Sequence, residues 1–305
     1  WILAHQGELL NYNYERVEQS STLLQVIILA ALHKLTSLSV VTLGHVFIII
    51  ISMLTIMSAG FAAKKCRDDM VEPAILLLAT SPFFVYWAYG GMEGPLLALI
   101  LLLHLFIWES FLKTQGGFLR IIALSITAQL ARPEMVLVCI LSAALLLSFR
   151  FVLPAWRVLK IKSFFILLLV QVLSAGLILS LRYAYFHDWW PQPVAAKAGS
   201  DFLAQTLMGL QYAWLAVSRP GLMLPSVLAI TSLCYVVICG GRKLPLSLHL
   251  LIAVVLAVVY TLFVITSGGD WMAAGRFWVP VIPLYVILIA YMLVSCIPQL
   301  AWRRC

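Results

Sequence analysis

The feature that most constrains this chain is the recurrence of uncharged apolar runs close to 20 residues long, from Leu38 almost to its last residues. A helix rising about 1.5 Å per residue needs roughly 20 residues to cross a hydrocarbon core about 30 Å thick. Only helices and closed barrels satisfy their own backbone in lipid. Barrel strands alternate apolar and polar residues, and runs such as AILLLAT do not. Of the 305 residues, 63% are hydrophobic and 10% charged, far from the usage of water-soluble domains. The expected fold is therefore all-α, a polytopic transmembrane bundle with about nine spans.

The spans are expected at about 38–62, 71–88, 93–109, 118–131, 134–149, 163–181, 222–239, 246–266 and 277–297. The fourth and fifth are short for full spans and meet at an ARPE break. Before them, Ser20 to Lys34 is apolar but short, which reads as an interfacial helix lying along the bilayer. The organisation is then an outer loop and interfacial helix over 1–37, a transmembrane domain over 38–297, and a cytoplasmic tail over 298–305. Thirteen of the 20 basic residues, among them Lys64, Lys65, Lys113, Arg150 and Arg242, fall in one set of connections, which places those connections in the cytoplasm. The opposite, outer face takes loops 89–94, 131–134, 182–221 and 267–276, and most of the acids. The net charge of +8 is thus a topology signal; the basic residues are scattered, and no nucleic-acid footprint emerges. The six cysteines (Cys66, Cys139, Cys234, Cys239, Cys296 and Cys305) form no CxxC pair and none lies in an outer loop, so neither a disulfide framework nor a zinc site is expected.

Charged groups at the membrane boundary cost several kcal/mol unless paired or hydrated, so each is a candidate for function. Five outer-face clusters qualify, and every feature that looks like chemistry is expected there. NYNYERVEQSSTLLQ carries Glu15, Arg16 and Glu18, with Ser20 or Ser21 also able to cap the interfacial helix. YWAYGGMEGPL holds Glu93 at a helix start, where the dipole favours a carboxylate. LARPEM places Arg132 and Glu134 as a site or as an internal salt bridge. LRYAYFHDWWPQPVAAK brings Arg182, His187, Asp188, Trp189, Trp190 and Lys197 to the membrane exit, where an aromatic belt with snorkelling cations accounts for the tryptophans and Arg182 but not for the rest. TSGGDWMAAGRFWVP carries Asp270, Trp271 and Arg276 on a glycine turn. Forked arginines and a compact lysine suit phosphate oxygens, and flat aromatic faces suit sugar rings.

In their order and spacing these segments resemble the polytopic GT-C class glycosyltransferases that use polyprenyl-phosphate sugars, in particular the bacterial arabinofuranosyltransferase-like and mannosyltransferase-like branch. The resemblance rests on GELLNYNYERVEQSSTLLQ, GGMEGPLLALILLL, ARPE, RYAYFHDWWPQPVAAK and GGDWMAAGRF, and runs through most of the chain. It departs from the family at Met92, where leucine is usual, at Gly94, where threonine is common, and in PQPVAAK. The family's acidic pair, which supplies its catalytic base, would lie upstream of Trp1, so the chain is expected to be N-terminally truncated.

The resemblance implies inverting transfer of a sugar from a polyprenyl-phosphate donor to a glycan, lipid or protein acceptor, on the periplasmic or extracellular side of a bacterial inner membrane. It assigns Arg132, Arg182, Lys197 and Arg276 to the donor phosphate, and Glu18, Glu93, Glu134, His187, Asp188, Trp189, Trp190, Asp270 and Trp271 to sugar or acceptor. No cofactor is indicated, and a divalent metal is left open. The competing reading is a transporter or flippase of a lipid-linked sugar. No internal repeat supports it.

Overall fold

The computed structural model describes residues 2–11, 13–18, 20–152, 160–194, 201–218, 230–231, 247–270, 272 and 274–296. All regular structure among them is helical: α1 (Ile2–Gln6), α2 (Leu23–Thr36), α3 (Val40–Cys66), α4 (Val71–Ala79), α5 (Pro82–Tyr89), α6 (Gly94–Thr114), α7 (Phe118–Ala131), α8 (Met135–Val152), α9 (Ile161–Phe186), α10 (Phe202–Ser218), α11 (Leu248–Thr266) and α12 (Ile282–Cys296). Four of these, α3, α6, α9 and α11, are long and apolar enough to cross a membrane, and a fifth crossing follows if α4 and α5 count as one broken span. The chain is a helical membrane protein.

Local sequence explains the boundaries. Ser39 caps α3 by accepting from the Thr42 amide at 3.1 Å, and Ser247 caps α11 by accepting from Leu250 at 3.2 Å. Gln115 ends α6 in the left-handed conformation. The run expected as one span over 71–88 is two helices bent by 60° at Thr80–Ser81, because Pro82 has no amide to continue the ladder and its ring disfavours helix in the residue before it.

The other differences are of extent. The helix expected to be interfacial begins at Leu23 rather than Ser20, and the helix expected as the last span begins at Ile282, after a 3-10 turn at Arg276–Trp278. The expected loop 182–221 instead opens with the last turn of α9 and contains α10, 17 residues long. The span expected over 222–239 and the tail 298–305 lie outside the described residues, apart from residues 230–231.

Helices α6 and α11 form the centre. Leu97, Leu101, Leu105 and Trp108 of α6 and Ile252 and Tyr260 of α11 are fully or almost fully buried. A helix apolar all round belongs in such a position. In lipid the burial of leucine gains little, so contact depends on close approach and on polar pairs. The face of α3 turned inward is accordingly lined by small and hydroxyl residues at helical spacing (Gly44, Ser52, Thr55, Ala59 and Ala63). Along it the Thr55 hydroxyl donates to the Pro95 carbonyl at 3.3 Å.

Candidate functional site

The site lies where the corner between α7 and α8, the start of α6, the turn before α12 and the segment before α2 meet. Arg132 is its hub. Its Nε donates to Glu134 Oε1 at 2.6 Å, and its Nη1 donates to Glu93 Oε1 at 2.6 Å and to the Ser21 hydroxyl at 3.2 Å. All three charged side chains are 6–7% exposed. The ARPE break creates the hub: Arg132 leaves α7 in extended backbone, and Pro133 turns the chain so that Glu134 faces back onto the guanidinium. Desolvation works against the Arg132 charge, yet the Glu134 and Glu93 carboxylates outweigh it and the group is held above its ordinary value.

Phe277 joins Arg132 to a second arginine. The guanidinium of Arg132 lies 5.2 Å from the Phe277 ring centre and that of Arg276 5.3 Å from it. Arg276 Nε approaches Asp270 Oδ2 to 2.7 Å, but its N–H is not aligned on the carboxylate. Both Asp270 oxygens are left without a hydrogen-bond donor. Helix α10 holds this turn from above. Tyr212 stacks on Trp278 at 6.1 Å, and its hydroxyl accepts from the Phe277 amide at 3.3 Å. Gly269 has φ +71°, and a side chain there would run into Tyr212. At Gly209 an added methyl would fall within 1.8 Å of the Ile265 carbonyl oxygen.

The third arginine is reached through the segment before α2. Asn11 folds that segment by accepting the amides of Asn13 and Glu15, each at 2.9 Å, in an Asx-type turn. The Leu9 amide then donates to the Tyr185 hydroxyl at 2.9 Å and the Gln192 amide to the Glu18 carbonyl at 3.1 Å, so the segment docks on the end of α9. There Arg182 Nε donates to Glu18 Oε2 at 3.1 Å. Arg182 is 2% exposed, and neither its Nη1 nor its Nη2 finds an acceptor. Burial pushes the Glu18 carboxyl above its ordinary value, and the Arg182 charge pulls it back only in part.

Arg132, Arg182, Arg276, Glu18, Glu93, Glu134 and Asp270 thus form one connected neighbourhood. His187, Asp188, Trp189 and Trp190 lie beside it on the exposed end of α9, with Trp189 stacked on Tyr183 at 4.6 Å. Lys197 and Trp271 lie outside the described residues. Two sequence readings change. Neither Ser20 nor Ser21 caps α2; the Ser21 hydroxyl accepts from Arg132, while Ser20 and Thr22 pair with each other at 3.0 Å. The salt bridge proposed for Arg132 and Glu134 exists and is shared with Glu93. Sequence reasoning missed Phe277 and Tyr212, which carry no sign of partnership in the sequence.

It also missed a buried ion cluster at the other end of α6. Glu109 accepts from Lys113 at 2.6 Å and from His249 Nδ1 at 2.8 Å, with Lys65 Nζ at 3.4 Å. Ionic chemistry is therefore not confined to one face of the bundle. The charged residue within LHLFIWESF was the available signal.

A cavity of about 760 Å³ opens between α3 and α5, lined by Ser52, Met53, Phe84, Trp87, Tyr89 and Gly90 among others. Its wall is tied to the site, since Trp87 Nε1 donates to the Ala274 carbonyl at 2.8 Å, two residues before Arg276. Among the described residues no group of three or more metal-binding side chains assembles. No family model, curated protein or solved structure matches the chain.

Proposed function

We propose that this protein is an inverting membrane glycosyltransferase of GT-C-like, roughly nine-span architecture, taking a sugar from a polyprenyl-phosphate donor on the outer face of a bacterial inner membrane. The observation that carries the reading is Arg182, a buried guanidinium held by a single carboxylate contact with both terminal nitrogens unfilled. Unmade hydrogen bonds of a buried charge are expensive, and a phosphate offers the oxygens that a forked donor takes. Arg276, with its Nε unaligned on Asp270, adds a second contact, and the reading assigns Lys197 to the same phosphate. Arg132 already serves two carboxylates and one hydroxyl, so its role is to position Glu93 and Glu134 toward sugar or acceptor hydroxyls.

In the reaction the acceptor oxygen attacks the anomeric carbon and the bond from that carbon to the phosphate oxygen breaks. The electron pair leaves with polyprenyl phosphate, where the arginines offset the charge. The acceptor proton passes to a carboxylate base. The exposed Tyr183–Trp189 stack and Trp190 supply faces for sugar rings, and the aromatic groove between α3 and α5 suits an isoprenoid chain.

The test is transfer of labelled sugar from a polyprenyl-phosphate donor to acceptor in membranes carrying the protein. Replacing Arg182 or Lys197 by alanine is expected to lower turnover about tenfold or more at unchanged membrane content. Undiminished turnover removes that residue from the site. Among the described residues the broken α4–α5 pair favours transport; label that crosses the bilayer without becoming attached to any acceptor would establish that reading instead.

A further inference from the structure

Helix α10 carries no charged residue over its 17 positions, and its two sides differ. Gln205, Gly209 and Tyr212 recur at helical spacing along one side. That side is the seat: Gly268 lies against Gln205, Gly209 against the Ile265 carbonyl, and Tyr212 against Gly269 and Trp278. Leu203, Leu207, Leu210 and Trp214 recur on the opposite side at the same spacing, and all four are 49–68% exposed. Phe202, Met208 and Leu215 widen this surface. Gln211 at its flank and Ser218 at the helix end are the polar residues exposed with it.

The level of this surface follows from α11, whose 19 residues rise about 28 Å, close to the thickness of the hydrocarbon core. Near the start of α11, His249 meets Glu109 and its half-exposed lysines. The end of α11, at Ile265 and Thr266, therefore stands at the opposite membrane boundary, and the middle of α10 is seated there. Leu262, one turn deeper in α11, is 55% exposed, so lipid reaches the flank of α11 beside this seat and the apolar surface runs on from Leu262 to α10. Broad apolar surface of this kind is stable against hydrocarbon and not against water. We infer that α10, although it falls within an expected aqueous loop, is set into the bilayer boundary with Leu207, Leu210 and Trp214 against lipid chains. The bilayer thus backs the helix that holds the Asp270 turn. The inference stands independently of sugar transfer.

Photocrosslinking tests this on the full chain in phosphatidylcholine nanodiscs. With p-benzoylphenylalanine in place of Leu207 or Leu210, irradiation is expected to attach a phospholipid, read as the added mass of one lipid. The yield should be about tenfold above that from the exposed Asn13 and close to that from Met53 on the outward side of α3. A yield no higher than at Asn13 overturns the inference, and so does attachment to a second copy of the chain or to its own residues 219–246 in place of lipid. Trp214→Phe gives a second readout without a foreign side chain. The emission that this substitution removes is expected to be about twofold or more smaller in nanodiscs of chain-brominated phosphatidylcholine than in plain ones, because bromine quenches only indoles that touch the chains. Equal losses in the two lipids put Trp214 out of reach of the chains and overturn the inference as well.

Discussion

The two buried ion clusters, at opposite ends of α6, are built on opposite plans. Glu93 and Glu109 are separated by 16 positions, about 24 Å of helix. At one end a single cation, Arg132, sits between two carboxylates that are as buried as it is. At the other a single carboxylate, Glu109, sits between lysines that remain about half exposed, Lys65 at 48% and Lys113 at 54%, with His249 sealed behind it. In the first triad two carboxylates face one cation, and in the second group two lysines face one carboxylate. Solvent or headgroups share the load of the second cluster and not of the first. A cluster closed on all sides fixes geometry, whereas one open to water tolerates loss.

Removal of the two centres should expose this contrast most strongly. Arg132→Ala leaves two carboxylates buried without a counter-charge and is expected to destabilise the fold by about 3–5 kcal/mol, read as loss of folded protein in detergent. A smaller effect than at Glu109 would reverse the comparison. Glu109→Ala strands the buried His249 nitrogen but frees two lysines that water already reaches, so the expected cost is about 1–3 kcal/mol. Arg182→Lys keeps the charge and discards the fork; about a tenfold loss of transfer with normal stability is expected. Full activity would mean that charge alone suffices there.

The smallest effect concerns pH. Burial raises the Glu18 carboxyl, so the folded chain holds that proton more tightly than the unfolded chain. The resulting stability is fully present below the ordinary carboxylate range and is lost as pH rises through the raised value. Glu18→Gln removes a titrating group, and its thermal midpoint should vary less with pH across that window. Identical slopes would assign the pH response to another group.

Hydropathy carried most of the fold, because a helix in lipid needs an apolar length and little else. The span expected over 118–131 coincides with α7. Proline chemistry was equally readable, yet the run over 71–88 was treated as continuous despite Pro82. α10 was missed because it lies within an outer loop by charge counting, and its sequence FLAQTLMGLQYAWLAVS is too short and polar to read as a span. At the site, the arginines and acids were legible because a charge beside apolar runs demands a partner. Which partner was not legible: Ser21 reads as a helix cap until Arg132 is placed next to it, and the meeting of Arg132 and Arg276 across Phe277 depends on segments 144 residues apart in the chain. Glu109 was overlooked because nearby Lys113 marked the helix end as a plain boundary.

The close seat of α10 rests on two glycines, Gly209 within the helix and Gly269 in the turn that it covers. Gly209 touches the Ile265 carbonyl and Gly269 lies beneath Tyr212 with no space for a β-carbon, so alanine at either position would wedge α10 away from α11 and from the turn that carries Asp270.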